Sequence, residues 1–445
     1  MPEEERQKRE AEKADKRKAR KNNGAKRDMH YEMEQEEHDV YPEDPDFDIN
    51  NARLVTIATR ICVRYECVPM RFIKHVYKIH TYAQDGRLFE GKTPVSAFLN
   101  SSYDGSFIAG LMELRYIQSL PVERIINYFE SHGFTLKKPT AHKLMEKASS
   151  LFENLYKCIR QTALSDPYKA ADETYYKILV PEKNSKGKGV RKGYLWVVVG
   201  INTRMIYLLY DDGSRSEKVI LNELGGCKGI IQSDGYSPYR KLESDAYPHI
   251  TRIPCLQHIK RKFIDCGEDD PDAKRIVEMI NTLYQNEHKH KIGVDGWTVE
   301  QNLVHRKKYA PDILGEIKDV LDDIEERGDL LPKSELKEAI TYLRNEWNAV
   351  VDIFNYGDTY LDNNIVERMN RYISLSRKNS LFFGSHKGAE RGAILYTIAL
   401  TCRMNKVNLF EYLTDVINRT AEWQPNTPLE KYRQLLPDRW EKAND

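Results

Sequence analysis

Three carboxylates stand far apart in this sequence, each in a setting that could do chemistry: Asp172 in ADETYYKILV, Asp234 in IIQSDGYSPY and Glu367 in DNNIVERMNR. Mg²⁺ or Mn²⁺ takes hard oxygen ligands and keeps several waters, so a few convergent carboxylates suffice to hold it. Two such ions about 3.5–4 Å apart could activate water or a 3′ hydroxyl and stabilise the leaving oxygen of a phosphoryl transfer. Carboxylates brought this close repel one another when ionised, so without metal at least one should have a raised pKa that a cation reverses.

Other acids compete for these roles. Glu173 adjoins Asp172 but is expected on the opposite face of a strand. Asp358 and Asp362 precede Glu367 and could replace it, while Asp211 and Asp212 read as turn residues closing a strand. Strand-end acids beside Gly or Ser commonly just shape turns, and an amphipathic helix with a solvated Glu is the bland alternative for Glu367.

The elements that must position these acids can be read from periodicity. A helix from about 363 to 376 puts Ile365, Val366, Met369, Tyr372 and Ile373 on one stripe, with Asn363, Glu367, Asn370, Arg371 and Ser374 opposite. Arg377, Lys378 and Asn379 follow, delivering cationic donors near the acid, and Gly384 and Ser385 mark a turn. Residues 171–180, 195–201 and 205–212 read as three strands, 216–224 as a helix, 225–237 as a strand ending in Asp234, and 249–255 as a fifth strand. A helix from about 256 to 263 follows, and 265–355 is helical and charge-rich, with Ser334 at a helix start. Adjacent strands followed by strands alternating with helices indicate a mixed α/β sheet carrying a large helical insertion.

Upstream, residues 105–165 read as helices. Pro121 suits a first helical turn, Gly133 a stop and Thr140 a cap, and helix, glycine turn, helix is compatible with a helix-turn-helix DNA reader. A three-helix packing unit gives the same pattern. Alternation in RFIKHVYKIHTYA, residues 71–83, predicts a short strand ribbon within a small segment, 49–104. Residues 1–48 are dense in Glu, Lys and Arg with few apolar side chains, and are expected to form a disordered tail or a fraying helix. Two further helices are expected at 394–404 and 409–417, the latter in a helical tail over 406–445.

The chain has 445 residues, 40% of them hydrophobic, and a net charge of +1 that hides a basic stretch in 1–27 and an acidic one in 28–48. A neutral total therefore does not exclude a polyanionic partner. The seven cysteines, at 62, 67, 158, 227, 255, 266 and 402, include no C-x-x-C pair, which argues against a disulfide framework or a structural zinc and for a reducing cytosol. The longest apolar run, 194–201, is far too short to span a bilayer.

The runs ADET, LWVVV, QSDGYSPY, CLQHIKRKF, LPKSELKEAITYL, DNNIVERMNR and SRKNSLFFGSHKGAERGAILYTIALTCRMN, with NLFEYLTDVINR and LLPDRW, resemble bacterial transposases of the insertion-sequence-66 (TnpC) type over about 53–440. The resemblance implies an RNase H-like catalytic domain, 166–264 and 356–405, interrupted by a helical insertion, 265–355. It places an acid triad (DDE) on Asp172, Asp234 and Glu367, served by Mg²⁺ or Mn²⁺. His258, Lys260, Arg261 and Lys262, with Arg368, Arg371, Arg377, Lys378 and Asn379, match family positions and would lie along DNA. Such enzymes cut transposon ends at terminal inverted repeats and join the freed 3′ hydroxyl to target DNA. They are bacterial cytoplasmic proteins that assemble as homo-oligomers on DNA, with possible accessory proteins from the same element. Family members usually carry a cysteine-rich zinc segment where this chain has HTYAQDG, so no structural zinc is expected here, and 49–104 resembles a degenerate form of it. A transposase-derived DNA-binding protein without catalysis and a metal-dependent nuclease are the alternative functions.

Overall fold

The computed structural model describes residues 70–76, 78, 81–84, 87–90, 96–98, 101–182, 187, 189–267, 269–421, 423–424 and 426–442, and among these the first regular element is an antiparallel hairpin. Its strands are β1 (Thr81–Gln84) and β2 (Arg87–Glu90). The ribbon thus sits later than the alternation in 71–83 predicts, and 71–76 are irregular. Alternation marks a strand-like face without choosing the partner strand, which register decides. The readings made for residues 1–48 and for Cys62 and Cys67 lie outside the described residues.

Four helices follow: α1 (Gly105–Tyr116), α2 (Val122–Ser131), α3 (Lys138–Leu151) and α4 (Glu153–Ser165). Asp104 caps α1 by accepting from the Phe107 amide at 3.0 Å. Thr140 is not the cap of α3. The cap is Lys137, three residues earlier, and Pro139 lies in the first turn, where a missing N–H costs nothing. The buried faces of these helices are continuous with the core of the sheet: Leu111, Phe129, Leu144 and Phe152 share one apolar cluster with Trp196, Val198 and Ile398.

The sheet has the order β5-β4-β3-β6-β7. Strands β3 (Tyr168–Leu179), β4 (Val190–Gly200) and β5 (Met205–Leu209) pair antiparallel. After α5 (Glu217–Leu224), strand β6 (Gly229–Ser233) pairs parallel to β3, and after the short α6 (Ser237–Arg240), β7 (Ile250–Pro254) pairs parallel to β6. Residues Leu195 to Val199 are all fully buried, as expected of a strand covered on both faces.

Then come α7 (Leu256–Asp265), α8 (Pro271–Glu287), α9 (Val299–Arg327), α10 (Glu335–Ile353), α11 (Asn364–Ser380), α12 (His386–Met404), α13 (Leu409–Thr420) and α14 (Leu429–Arg433). Ser334 caps α10 as its sequence predicts, accepting from the Lys337 amide at 3.2 Å. Helices α8 to α10 build a second apolar cluster that reaches Ile230 and Ile253 on β6 and β7, so the insertion braces the parallel side of the sheet. On the other side, α12 covers the edge strand: Thr397 accepts from the Leu208 amide at 2.9 Å, and Thr401 donates to the Ile206 carbonyl at 2.9 Å. Those bonds occupy edge groups that would otherwise invite another strand. Among the described residues no helix is long and apolar enough to cross a membrane.

Candidate functional site

Asp172 lies inside β3 rather than at its start. The strand begins at Tyr168 because Tyr168, Lys169 and Ala170 pair with Ile230, Ile231 and Gln232. The same register carries Asp234, the residue after β6, to the level of Asp172, close enough for its charge to act on the Asp172 carboxyl. Asp172 accepts from the Asn370 amide at 2.7 Å through one oxygen and from the Glu173 N–H at 2.8 Å through the other. Burial pushes its carboxyl up to about 8, and the neighbouring Asp234 and Glu173 charges add to burial, against those two hydrogen bonds.

Asp234 is fixed from below by the insertion. Arg252, fully buried in β7, donates to the Asp234 carbonyl at 2.8 Å, to Ser233 at 3.1 Å, to Glu243 at 2.5 Å and to the buried Glu346 of α10 at 2.5 Å. Next to it the Gly235 amide donates to the Tyr342 hydroxyl of α10 at 2.8 Å. A Cβ at Gly235 would stand 2.4 Å from that hydroxyl and 2.6 Å from the ring, so only glycine fits.

Glu367 rides on α11, which begins at Asn364, one residue later than expected, and runs on to Ser380. Val366 and Ile373 of the apolar stripe are fully buried, and Ile365, Met369 and Tyr372 are partly so. Asn363 and Asn370, expected opposite that stripe, are buried too, because α11 clamps onto β3 through polar groups: Asn363 donates to the Ala171 carbonyl at 3.0 Å, and Asn370 to Asp172. Glu367 stands one turn before Asn370 on the same side of the helix. His258 of α7 faces it, with Glu367 Oε1 3.8 Å from His258 Nδ1. Glu367 Oε1, His258 Nδ1, Asn363 Oδ1 and Asn370 Oδ1 are all buried without a hydrogen-bond partner. Three of these atoms belong to α11 and its cap and the fourth to the facing first turn of α7, and buried polar atoms of this kind call for a partner such as water or a cation. The hard oxygens of Asp172, Asp234 and Glu367 suit Mg²⁺ or Mn²⁺ as donors.

The competing acids have other work. Asp362 accepts from the Asn364 amide at 3.1 Å and shapes the entry to α11, while Asp358 is exposed. Asp211 accepts through its carbonyl from Ser214 in a turn, and Asp212 lies 2.9 Å from His386. Glu173 pairs with Arg215 at 2.6 Å and accepts from Tyr239 at 3.4 Å, with its carboxyl pushed up by burial and by Asp234.

The cationic positions divide into two groups. Arg261, Lys262, Arg368, Arg371 and Lys378 are exposed, and Lys260 and His258 are partly buried. Arg377 turns inward, donating to the Tyr175 carbonyl at 2.5 Å with its guanidinium 4.0 Å from the ring centre of Tyr175. Asn379, although exposed, donates to the Ser119 carbonyl at 3.0 Å, tying α11 to the turn after α1. Sequence reasoning missed Arg252, Glu346 and Tyr342. An arginine inside the apolar HITRIPC was the available signal, since a buried guanidinium demands a carboxylate partner.

Comparison with known proteins adds an independent line. Three uncharacterized proteins of Sinorhizobium fredii are similar to this chain: y4jD, 26% identical over 75% of this chain and 65% of its own length; y4hP, 24% identical over 88% and 73%; and y4qI, 26% identical over 89% and 75%. The chain thus spans about two thirds to three quarters of the length of these relatives. The sequence model described as "Transposase IS66 family" matches residues 100–391, more than half of the chain and the whole stretch from α1 into α12 that carries the three acids, and the chain belongs to that family.

Proposed function

We propose that this chain is a DNA transposase of the acid-triad type, built on an RNase H-like fold, that cleaves element ends and joins the 3′ hydroxyl to target DNA. The observation that carries the reading is the Asp172 carboxyl, held up by burial and by Asp234, and tethered through Asn370 to the helix of Glu367. Asp172, Asp234 and Glu367 would hold two divalent cations, which when bound supply Lewis acidity and a nucleophile of lowered pKa. Asn370 orients Asp172, and Arg252 with Tyr342 sets the loop that presents Asp234. The exposed Arg261, Lys262, Arg368, Arg371 and Lys378 would line the DNA backbone, where phosphate contacts fix register without reading sequence. Helices α2 and α3, joined through Gly133, are the candidate DNA reader.

The test incubates the purified protein with labelled DNA carrying the inverted repeats that flank its gene, with Mg²⁺ or Mn²⁺, and compares wild type with Asp172→Asn. Metal-dependent cleavage and a joined product are expected in the wild type, with a loss of at least about a hundredfold in the variant. Cleavage with no joined product would replace transposition by a nuclease reaction. DNA binding with no product in any metal would leave a transposase-derived binding protein and overturn the proposal.

A further inference from the structure

Cys255 and His258 sit at the cap and third position of α7, a spacing that puts both side chains on one face of the first turn, and α11 brings Glu367 against them. The three offer one sulfur, one nitrogen and one oxygen, all within 4.8 Å of one another. We propose that Cys255, His258 and Glu367 form a site for a zinc-class ion, distinct in ligand chemistry from the hard-cation acid group and sharing only Glu367 with it.

The donor set is the first reason. Thiolate, imidazole and a single carboxylate oxygen are what Zn²⁺ takes when it keeps a fourth position open, whereas Mg²⁺ is not held by sulfur. Geometry is the second. Tetrahedral ligation needs donor atoms about 3.3–3.6 Å apart, and the His258–Glu367 pair already stands at 3.8 Å. Satisfaction is the third reason: His258 Nδ1 and Glu367 Oε1 are both buried and unpartnered, though they face each other. Cys255 is almost wholly buried at the cap of α7, with the Asn363 backbone N–H 3.3 Å from its sulfur. A bound dication would deprotonate the thiol outright. The absence of C-x-x-C pairs does not bear on this site, because its ligands combine a Cys-x-x-His pair with an acid 109 residues beyond the histidine.

The test titrates metal-stripped, full-length protein with Co²⁺, reading the thiolate-to-cobalt charge-transfer absorption in the near ultraviolet, and then displaces Co²⁺ with Zn²⁺. One equivalent should give the band in the wild type, Cys255→Ser should lose it, and His258→Gln and Glu367→Gln should each weaken binding at least tenfold. Asp172→Asn should keep the band while losing DNA cleavage, so failure here and failure of the transposase reading are told apart. Zn²⁺ should also raise the melting temperature of the wild type but not of Cys255→Ser. If Cys255→Ser does not fold, Glu367→Gln decides, because unchanged Co²⁺ affinity there removes Glu367 from the site. No band in the wild type, or a band that survives in folded Cys255→Ser, overturns the proposal.

Discussion

A carboxyl with a pKa near 8, as at Asp172 without metal, is mostly protonated at neutral pH. Its folded-state value lies above the unfolded one, so the native chain holds a proton that the unfolded chain releases between about pH 4 and about pH 8. Through that window the metal-free protein therefore loses stability as pH rises. Asp172→Asn removes the ionisation, and its melting temperature should fall less between mildly acidic and mildly alkaline pH than that of the wild type, read by calorimetry without metal. Mn²⁺ should stabilise the wild type most at the alkaline end and release a proton on binding, measurable in two buffers of different ionisation enthalpy. A variant that is more stable and inactive is the usual signature of a functional carboxylate.

At the scale of elements, the insertion helix α10 acts on the site through two contacts. Arg252 and Glu346 form a fully buried pair, and removing one partner strands the other charge. Arg252→Met should cost about 3–5 kcal/mol in chemical denaturation, and should reduce cleavage in step because the Asp234 carbonyl loses its donor. Gly235→Ala would drive a methyl group into the Tyr342 ring. It should cost about 1–3 kcal/mol by overpacking, with Tyr342→Leu in the same chain relieving the clash and recovering part of that stability but not the activity, because the Gly235 amide then lacks its acceptor. Lack of recovery in that double variant would show that the loop, rather than the clash, sets the requirement for glycine.

For the whole molecule, a net charge of +1 means that DNA binding has to come from local cationic surface. Affinity should fall steeply with salt, and Lys262→Ala or Arg371→Ala should each lower the slope of log K against log salt by about 0.9. Arg377→Ala should instead lower the melting temperature, since its guanidinium serves Tyr175. Binding measured by anisotropy across a salt series, with a thermal melt of each variant, separates the two kinds of arginine.

Local chemistry alone determined much of this protein: the strands around LWVVV and IIQSD, the helix carrying Glu367 and the Ser334 cap. These depend on residue type and on spacing of a few positions, which a sequence displays directly. Only the tertiary structure decided that Asn370 reaches Asp172 across 198 residues of chain, that Asn363 is buried on β3, and that His258 faces Glu367. Those pairings follow from strand register and from the angle at which α11 lies on the sheet. Both are set by packing between distant segments, and periodicity within any one segment does not encode them.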